Sequence, residues 1–305
     1  MTTRKVHRDP RQGIGWLGLV VAILGMAGCS RQADPVAVLT VEPTELRLPF
    51  PEFVDLGVTL EPLTTLPPGS EPKLFLHLLD EPGSVIRTFD QPIPGDWQVG
   101  HRIRLQVRLA QSALADPLEP GSYLLTAGLY DLRADRFALK SSGEEVARLE
   151  YQIATVTVPV AGSSLPTVRF SEGWLAAEPG YDRQILVRRS LAGAGPATLQ
   201  IGPLRGPGQL LLRLAPAPGV AQDRIEIRAG SDSPRVRLRS SCGGFEAEVS
   251  GDPGVETLID VPATTDEVSC DIEVAPNFTA RVGVDGQVRS SAIEVLAWRA
   301  GTEVE

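Results

Sequence analysis

The stretch His101-Arg-Ile-Arg-Leu-Gln-Val-Arg-Leu109 decides the fold. Ile103, Leu105, Val107 and Leu109 alternate with Arg102, Arg104, Gln106 and Arg108. Successive strand side chains point to opposite faces, so the segment reads as a strand with one buried and one wet side. The same period of two runs through residues 53–63, 73–79, 122–130 and 151–160. Turn clusters separate these runs: Leu66-Pro-Pro-Gly-Ser70, Glu81-Pro-Gly-Ser84, Pro92-Ile-Pro-Gly-Asp96 and Glu119-Pro-Gly-Ser122. Most of the 26 prolines fall between strands, as expected of a residue that cannot donate to a β-ladder. Residues 74–79 are apolar on both faces except at His77, which predicts a central strand.

Ala161-Gly-Ser-Ser-Leu-Pro166 is small, polar and proline-terminated, and reads as a linker. Beyond it, strands are expected at 181–187, 197–204, 209–214, 223–228, 234–239, 245–249, 256–261, 268–274 and 292–298. One helical turn at 111–115 is the most that the pattern offers. The predicted fold is all-β, with two antiparallel β-sandwich domains of Ig-like or jelly-roll type, at 36–160 and 167–305. Each block is long enough to bury its own core.

The amino-terminal region gives the address. Arg4, Lys5, Arg8 and Arg11 precede an uncharged run from Gly13 to Gly28. A spanning helix needs about 20 apolar residues. This run is short, Gly-rich and closed by small side chains, as in a secretory signal. Met26-Ala27-Gly28-Cys29 resembles a bacterial lipobox. That resemblance implies a signal peptide at 1–28, cleavage before Cys29, diacylglycerol on its thiol and an acyl chain such as palmitate on its amino group, with residues 29–35 as tether. The partner so implied is the lipid bilayer of the cell envelope. Ser30, in place of the Asp that often retains lipoproteins at the inner membrane, favours the outer membrane. An uncleaved signal anchor with an incidental cysteine is the alternative.

The chain carries a formal charge of −9, and losing the basic signal makes the body more acidic. An acidic body is repelled by nucleic acid, so no nucleic-acid partner is expected. Only Lys5, Lys73 and Lys140 are lysines among 29 basic residues, so arginine by itself says little about function here. Cys242 and Cys270 remain once Cys29 is lipidated. In an oxidising compartment they read as a disulfide worth roughly 3–4 kcal/mol. A reduced pair or a metal site is the alternative, and two cysteines without nearby histidines make poor zinc ligands.

His77-Leu-Leu-Asp80, Pro82-Gly83, Phe89-Asp90, Trp97, Gly100, Gly121-Ser-Tyr-Leu124, Gly128-Leu-Tyr-Asp131 and Arg136 carry a family resemblance. They resemble the β-sandwich modules attached to bacterial membrane glycosyltransferases of the dolichyl-phosphate-mannose type. Gly173-Trp174, residues 209–214 and Phe278…Asp285…Arg289…Ile293-Glu-Val295 resemble, more faintly, the galactose-binding-like jelly rolls that follow such modules. Leu175-Ala176-Ala177 replaces the expected aromatic and proline residues, and the closing Asp-x-Arg spacing is stretched. The resemblance implies architecture and a setting in surface-polysaccharide assembly. The glycosyltransferase membrane region is missing, so transferase activity is not implied.

No nucleophile elbow, Cys–His pairing or histidine-rich metal motif is present, so no catalytic residue, metal or cofactor is assigned. His77 reads as a hydrogen-bonded core histidine and His101 as solvated. Asp80, Asp90 and Asp131 end strands and would be the carboxylates of a glycan hydrolase, but aspartates satisfying turn amides are the preferred reading. Calcium at Asp131 or Asp135 would need a spaced-carboxylate loop that is missing. Two arginine ladders, Arg102/Arg104/Arg108 and Arg235/Arg237/Arg239, are the candidate ligand-binding residues, suited to phosphate or carboxylate groups of a surface glycan. The expectation is a non-enzymatic, lipid-anchored accessory that binds or scaffolds surface polysaccharide or envelope assembly proteins. A glycan hydrolase and a purely structural spacer are the competing readings.

Overall fold

Among the described residues the chain is all-β, with no α-helix and a short 3-10 turn at Cys242–Gly244. The computed structural model describes residues 33–301, apart from 82, 132, 134, 163–165, 180–185, 192–195, 215–225, 230–234, 251–254, 263–265 and 282–287. The expected signal, Cys29 and most of the tether lie outside the described residues, as do Pro82, Asp285 and the centre of the expected linker.

The strand at Ile103–Ala110 pairs antiparallel with Phe53–Pro62, which pairs in turn with Ala37–Glu42. Leu139–Lys140 closes that sheet with a short parallel pairing. A second sheet runs through Glu145–Ala147, Glu150–Val158, Gly121–Tyr130, Lys73–Leu79 and Val85–Thr88. Alternation sends Leu56, Val58, Leu60, Val107 and Leu109 from the first sheet into one buried cluster. Leu74, Leu76, Leu78, Leu125, Ala127 and Leu129 enter it from the second. Each buried leucine contributes about 1.5–3 kcal/mol. Lys73–Leu79 is central, flanked by Gly121–Tyr130 on one side and Val85–Thr88 on the other. Ala37–Glu42 is a strand that the alternation does not announce. Ala37, Leu39 and Val41 are buried, but the outward Val38 blurs the period.

Beyond residue 166, one sheet orders Thr167–Phe170, Ala197–Leu204, Val268–Pro276, Arg235–Ser240 and Glu246–Ser250. Another orders Glu178–Pro179, Leu186–Leu191, Val288–Ala300, Gly208–Leu214 and Glu256–Val261. Leu199, Ile201, Leu238, Ile272 and Val274 from the first meet Leu210, Leu212, Ile259, Ile293 and Trp298 from the second. Cys242 and Cys270 form a disulfide inside this cluster, with Cα atoms 5.3 Å apart. The strand expected at 292–298 is the middle of the longer Val288–Ala300. The one expected at 181–187 is described only from Leu186 and runs on to Leu191.

A third, small cluster joins the halves. Phe53 and Ala110, at one end of the first sheet, pack on Leu211, Val295 and Ala297. Gly208–Leu214 is therefore buried on both faces, as its leucine run implies.

Candidate functional site

Cross-strand register determines what the arginine ladders can reach. Leu60 lies opposite Ile103, which sets Glu61 beside Arg102, and their side chains pair at 3.0 Å. Arg104 faces the neutral Thr59. Arg108 is drawn inward to Asp55 and Glu256, with its side chain only 20% exposed. In the second ladder, Arg239 pairs with Glu246 at 2.9 Å and lies 3.9 Å from Glu273. Arg235 lies 3.7 Å from Glu248, which is also the register partner of Arg237. The expected open rows of guanidinium groups are thus largely zipped to carboxylates of neighbouring strands. Arg108 shares that face but is partly buried, because its end of the strand meets the second half of the chain.

The rim carboxylates are likewise engaged locally. Asp80 accepts a hydrogen bond from the Ser84 amide at 2.6 Å, within the turn that returns Lys73–Leu79 to Val85–Thr88. The buried Asp131 accepts from the amides of Arg133 and Asp135. Asp90 accepts from the Tyr130 hydroxyl at 2.8 Å. Among the described residues, no group of three or more His, Cys, Asp or Glu is placed to hold a metal ion. His101 is exposed.

His77 belongs to a polar cluster that residue spacing does not reveal. It lies on the face of Lys73–Leu79 turned away from the core, and its Nδ1–H donates to Glu150 Oε1 at 3.0 Å. Thr126 donates to the same oxygen at 2.6 Å, and Arg136 reaches Glu150 Oε2 at 3.2 Å. The Arg136 guanidinium also stacks over Phe75, 4.7 Å from the ring centre. Phe75 lies so close to Gly128 that a Cβ there would fall 2.2 Å from the ring, which explains the glycine. Burial by itself pushes the Glu150 carboxyl up. Hydrogen bonds from Thr126 and His77, with His77 and Arg136 alongside, outweigh it and hold the group below the usual carboxylate range.

A carboxyl held low in the folded state contributes stability that is complete above its unfolded value, about 4.3. That contribution is lost as pH falls through the folded value. Urea midpoints followed from about pH 6 down to about pH 3 should therefore fall less steeply in Glu150→Gln than in the parent. Equal acid slopes would remove Glu150 from the account.

The densest charged constellation lies between the halves. Glu256 accepts from Arg108 at 2.7 Å and from Arg213 through both Nε and Nη2. Asp55 accepts from Arg299 and faces Arg108 Nε at 3.3 Å, without the alignment of a hydrogen bond. Arg299 also donates to Gln209 at 2.6 Å and lies over the Phe53 ring. Backbone bonds add to this: the Trp298 amide donates to the Pro51 carbonyl and the Ala113 amide to the Leu296 carbonyl. Leu114 inserts into the second core. Beside the junction, a cleft of about 250 Å³ is lined by Pro51, Glu52, Pro166, Pro203 and Trp298, among others. Burial raises the Glu52 carboxyl, opposed by Arg47. Chemically this is a clamp: salt-bridged, partly dehydrated and backed by apolar contact. No family model matches the chain, and no curated protein is found to be similar to it.

Proposed function

We propose that the protein is a lipid-anchored component of the bacterial envelope, held at the outer membrane through an acylated Cys29. It acts without catalysis, as a scaffolding or binding accessory of surface-polysaccharide assembly. In this reading residues 36–160 and 167–305 are two β-sandwich domains. The first is akin to the modules accompanying glycosyltransferases of the dolichyl-phosphate-mannose type, and the second is galactose-binding-like.

One observation carries the reading. The chain enters at Val36, whose carbonyl accepts from the Leu63 amide, next to the Pro62 end of Phe53–Pro62. The second half is clamped at the Phe53 end of the same strand. Its 10 residues separate the two ends by about 30 Å, at roughly 3.3 Å per residue. A tether at one end and a clamped second unit at the other is the layout of a stalk that carries its distal surface away from a bilayer. The disulfide suits an exported protein. The clamp also favours a second reading, a rigid spacer without a ligand of its own.

Labelled palmitate and membrane fractionation test the anchor. The parent should carry label and sediment with membranes, whereas Cys29→Ser should lose both. Label retained by Cys29→Ser would end the reading. Pull-down of the lipidated protein from its native envelope, with a glycan array, then separates accessory from spacer. Arg104→Ala should weaken retention on acidic polysaccharide if the first ladder binds it. Glycan turnover abolished by Asp80→Ala or Asp131→Ala would favour the hydrolase instead.

A further inference from the structure

We infer that the end of the first half at which the chain enters is a bilayer-resting surface, formed by the loops at 63–70 and 92–100. The inference rests on the lipid anchoring proposed above and names what the anchor brings to the membrane. Hydrogen bonds stitch the two loops together around Val36. The amides of Leu63 and Thr64 donate to the Val36 carbonyl, the Gly100 amide to Pro62, and the Trp97 indole N–H to the Thr64 carbonyl at 2.8 Å.

The surface so assembled differs from the rest of the molecule. Residues 63–70 carry no charge, and 92–100 carry only Asp96. Leu63 is 41% exposed and Val99 55% exposed, and the half-buried Trp97 lies between their loops. Elsewhere the described surface carries exposed arginine–carboxylate pairs such as Arg205–Glu267 and Arg239–Glu246, on an acidic chain that anionic headgroups repel. Two proline-rich loops with Asp96 as their one charge, exposed aliphatic groups and an indole match the interfacial zone of a bilayer, where tryptophan is favoured, and Arg133 lies beside Gly69 at their edge.

Chain length makes this surface the one that arrives. Residues 29–36 span at most about 25 Å when fully extended, so an acylated Cys29 keeps the Val36 end within that distance of the membrane. The diacylglycerol and amino-terminal acyl chain proposed for Cys29 anchor the protein by themselves, so this surface sets how the body rests on the bilayer and not whether it is held there. At the opposite end of the first half, Phe53 and Ala110 are covered by the clamp.

With Cys29 acylated and Cys242 bonded to Cys270, a cysteine introduced at the surface is the free thiol for labelling. Full-length lipidated Val99→Cys, Leu63→Cys and Val160→Cys proteins would each carry an environment-sensitive fluorophore. They would be reconstituted on phosphatidylethanolamine–phosphatidylglycerol vesicles containing a lipid with a nitroxide quencher near the headgroup. Val160 is 78% exposed and follows Glu150–Val158, whose closing residue Val158 pairs with Gly121. Gly121 is at the far end of Gly121–Tyr130 from Tyr130, the partner of Lys73. Greater loss of emission at positions 63 and 99 than at 160 is expected. Equal loss at all three, in chains that float with the vesicles, overturns the resting surface while the anchor stands. Chains that fail to float overturn both. Circular dichroism of each labelled protein confirms folding, and because all three side chains are exposed, a misfolded variant is replaced by labelling the neighbouring Thr64→Cys or Gln98→Cys.

Discussion

Glu256→Ala is expected to lower the free energy of unfolding by about 3 kcal/mol, at the lower end for breaking a buried ion pair. Glu256 is the shared acceptor of Arg108 and Arg213, whose side chains are 20% and 10% exposed. Truncation leaves two guanidinium groups in a partly dehydrated junction with Asp55 as the remaining carboxylate of the network. Among the described residues Arg213 then has no carboxylate and Arg108 keeps only the poorly aligned Asp55, and the lost attraction is modest beside the cost of these ill-paired cations. Urea unfolding measures the effect, and Glu61→Ala is the control. Glu61 pairs with Arg102 in the same sheet, but that arginine is 65% exposed, so the control should change stability by less than about 1 kcal/mol. Because the Glu256–Arg108 pair connects strands from different halves, the variant should also broaden the transition or split it in two. A Glu256→Ala protein that unfolds like the Glu61→Ala control would show that the junction charges hold nothing together.

Joint replacement of Cys242 and Cys270 by alanine is expected to cost about 3–4 kcal/mol, through the loss of a cross-link across 28 positions. For a body of this size that corresponds to a fall in Tm of roughly 6–15 °C. Both residues lie in the second core, with Cys270 fully buried, so alanine, being apolar, avoids burying a new hydroxyl. The parent protein in strong reductant should melt close to the double variant. An unchanged Tm in both would mean that the cross-link restrains nothing that packing does not already restrain.

The arginines show how far a sequence of this kind can be read. Alternation in His101–Leu109 correctly places Arg102 and Arg104 on the outer face and buries Val107 and Leu109. It treats Arg108 identically, yet Arg108 is partly buried against Glu256, 148 residues away. Glu256 itself lies in a strand expected from sequence, and nothing in its neighbourhood marks it as a clamp residue. His77 was placed on a central strand, and its surroundings supply what spacing does not: Glu150, 73 residues on, meets it across the intervening Gly121–Tyr130 strand. For the aspartates the sequence favours turn amides over a rim site. The turn amides and Tyr130 hold them.

By itself, then, the sequence determined where most of the longer strands run, which of their residues face a core, and that two cysteines sit in the second block. These follow from a side-chain period of two, which is a local property of the backbone. The tertiary structure alone decided which carboxylate each arginine meets, that Phe53 and Asp55 seat the second half, and that chain entry and clamp occupy opposite ends of one strand. Those outcomes depend on strand order and register between segments far apart in the chain, and a one-residue slip in register changes every partner while leaving the local pattern intact.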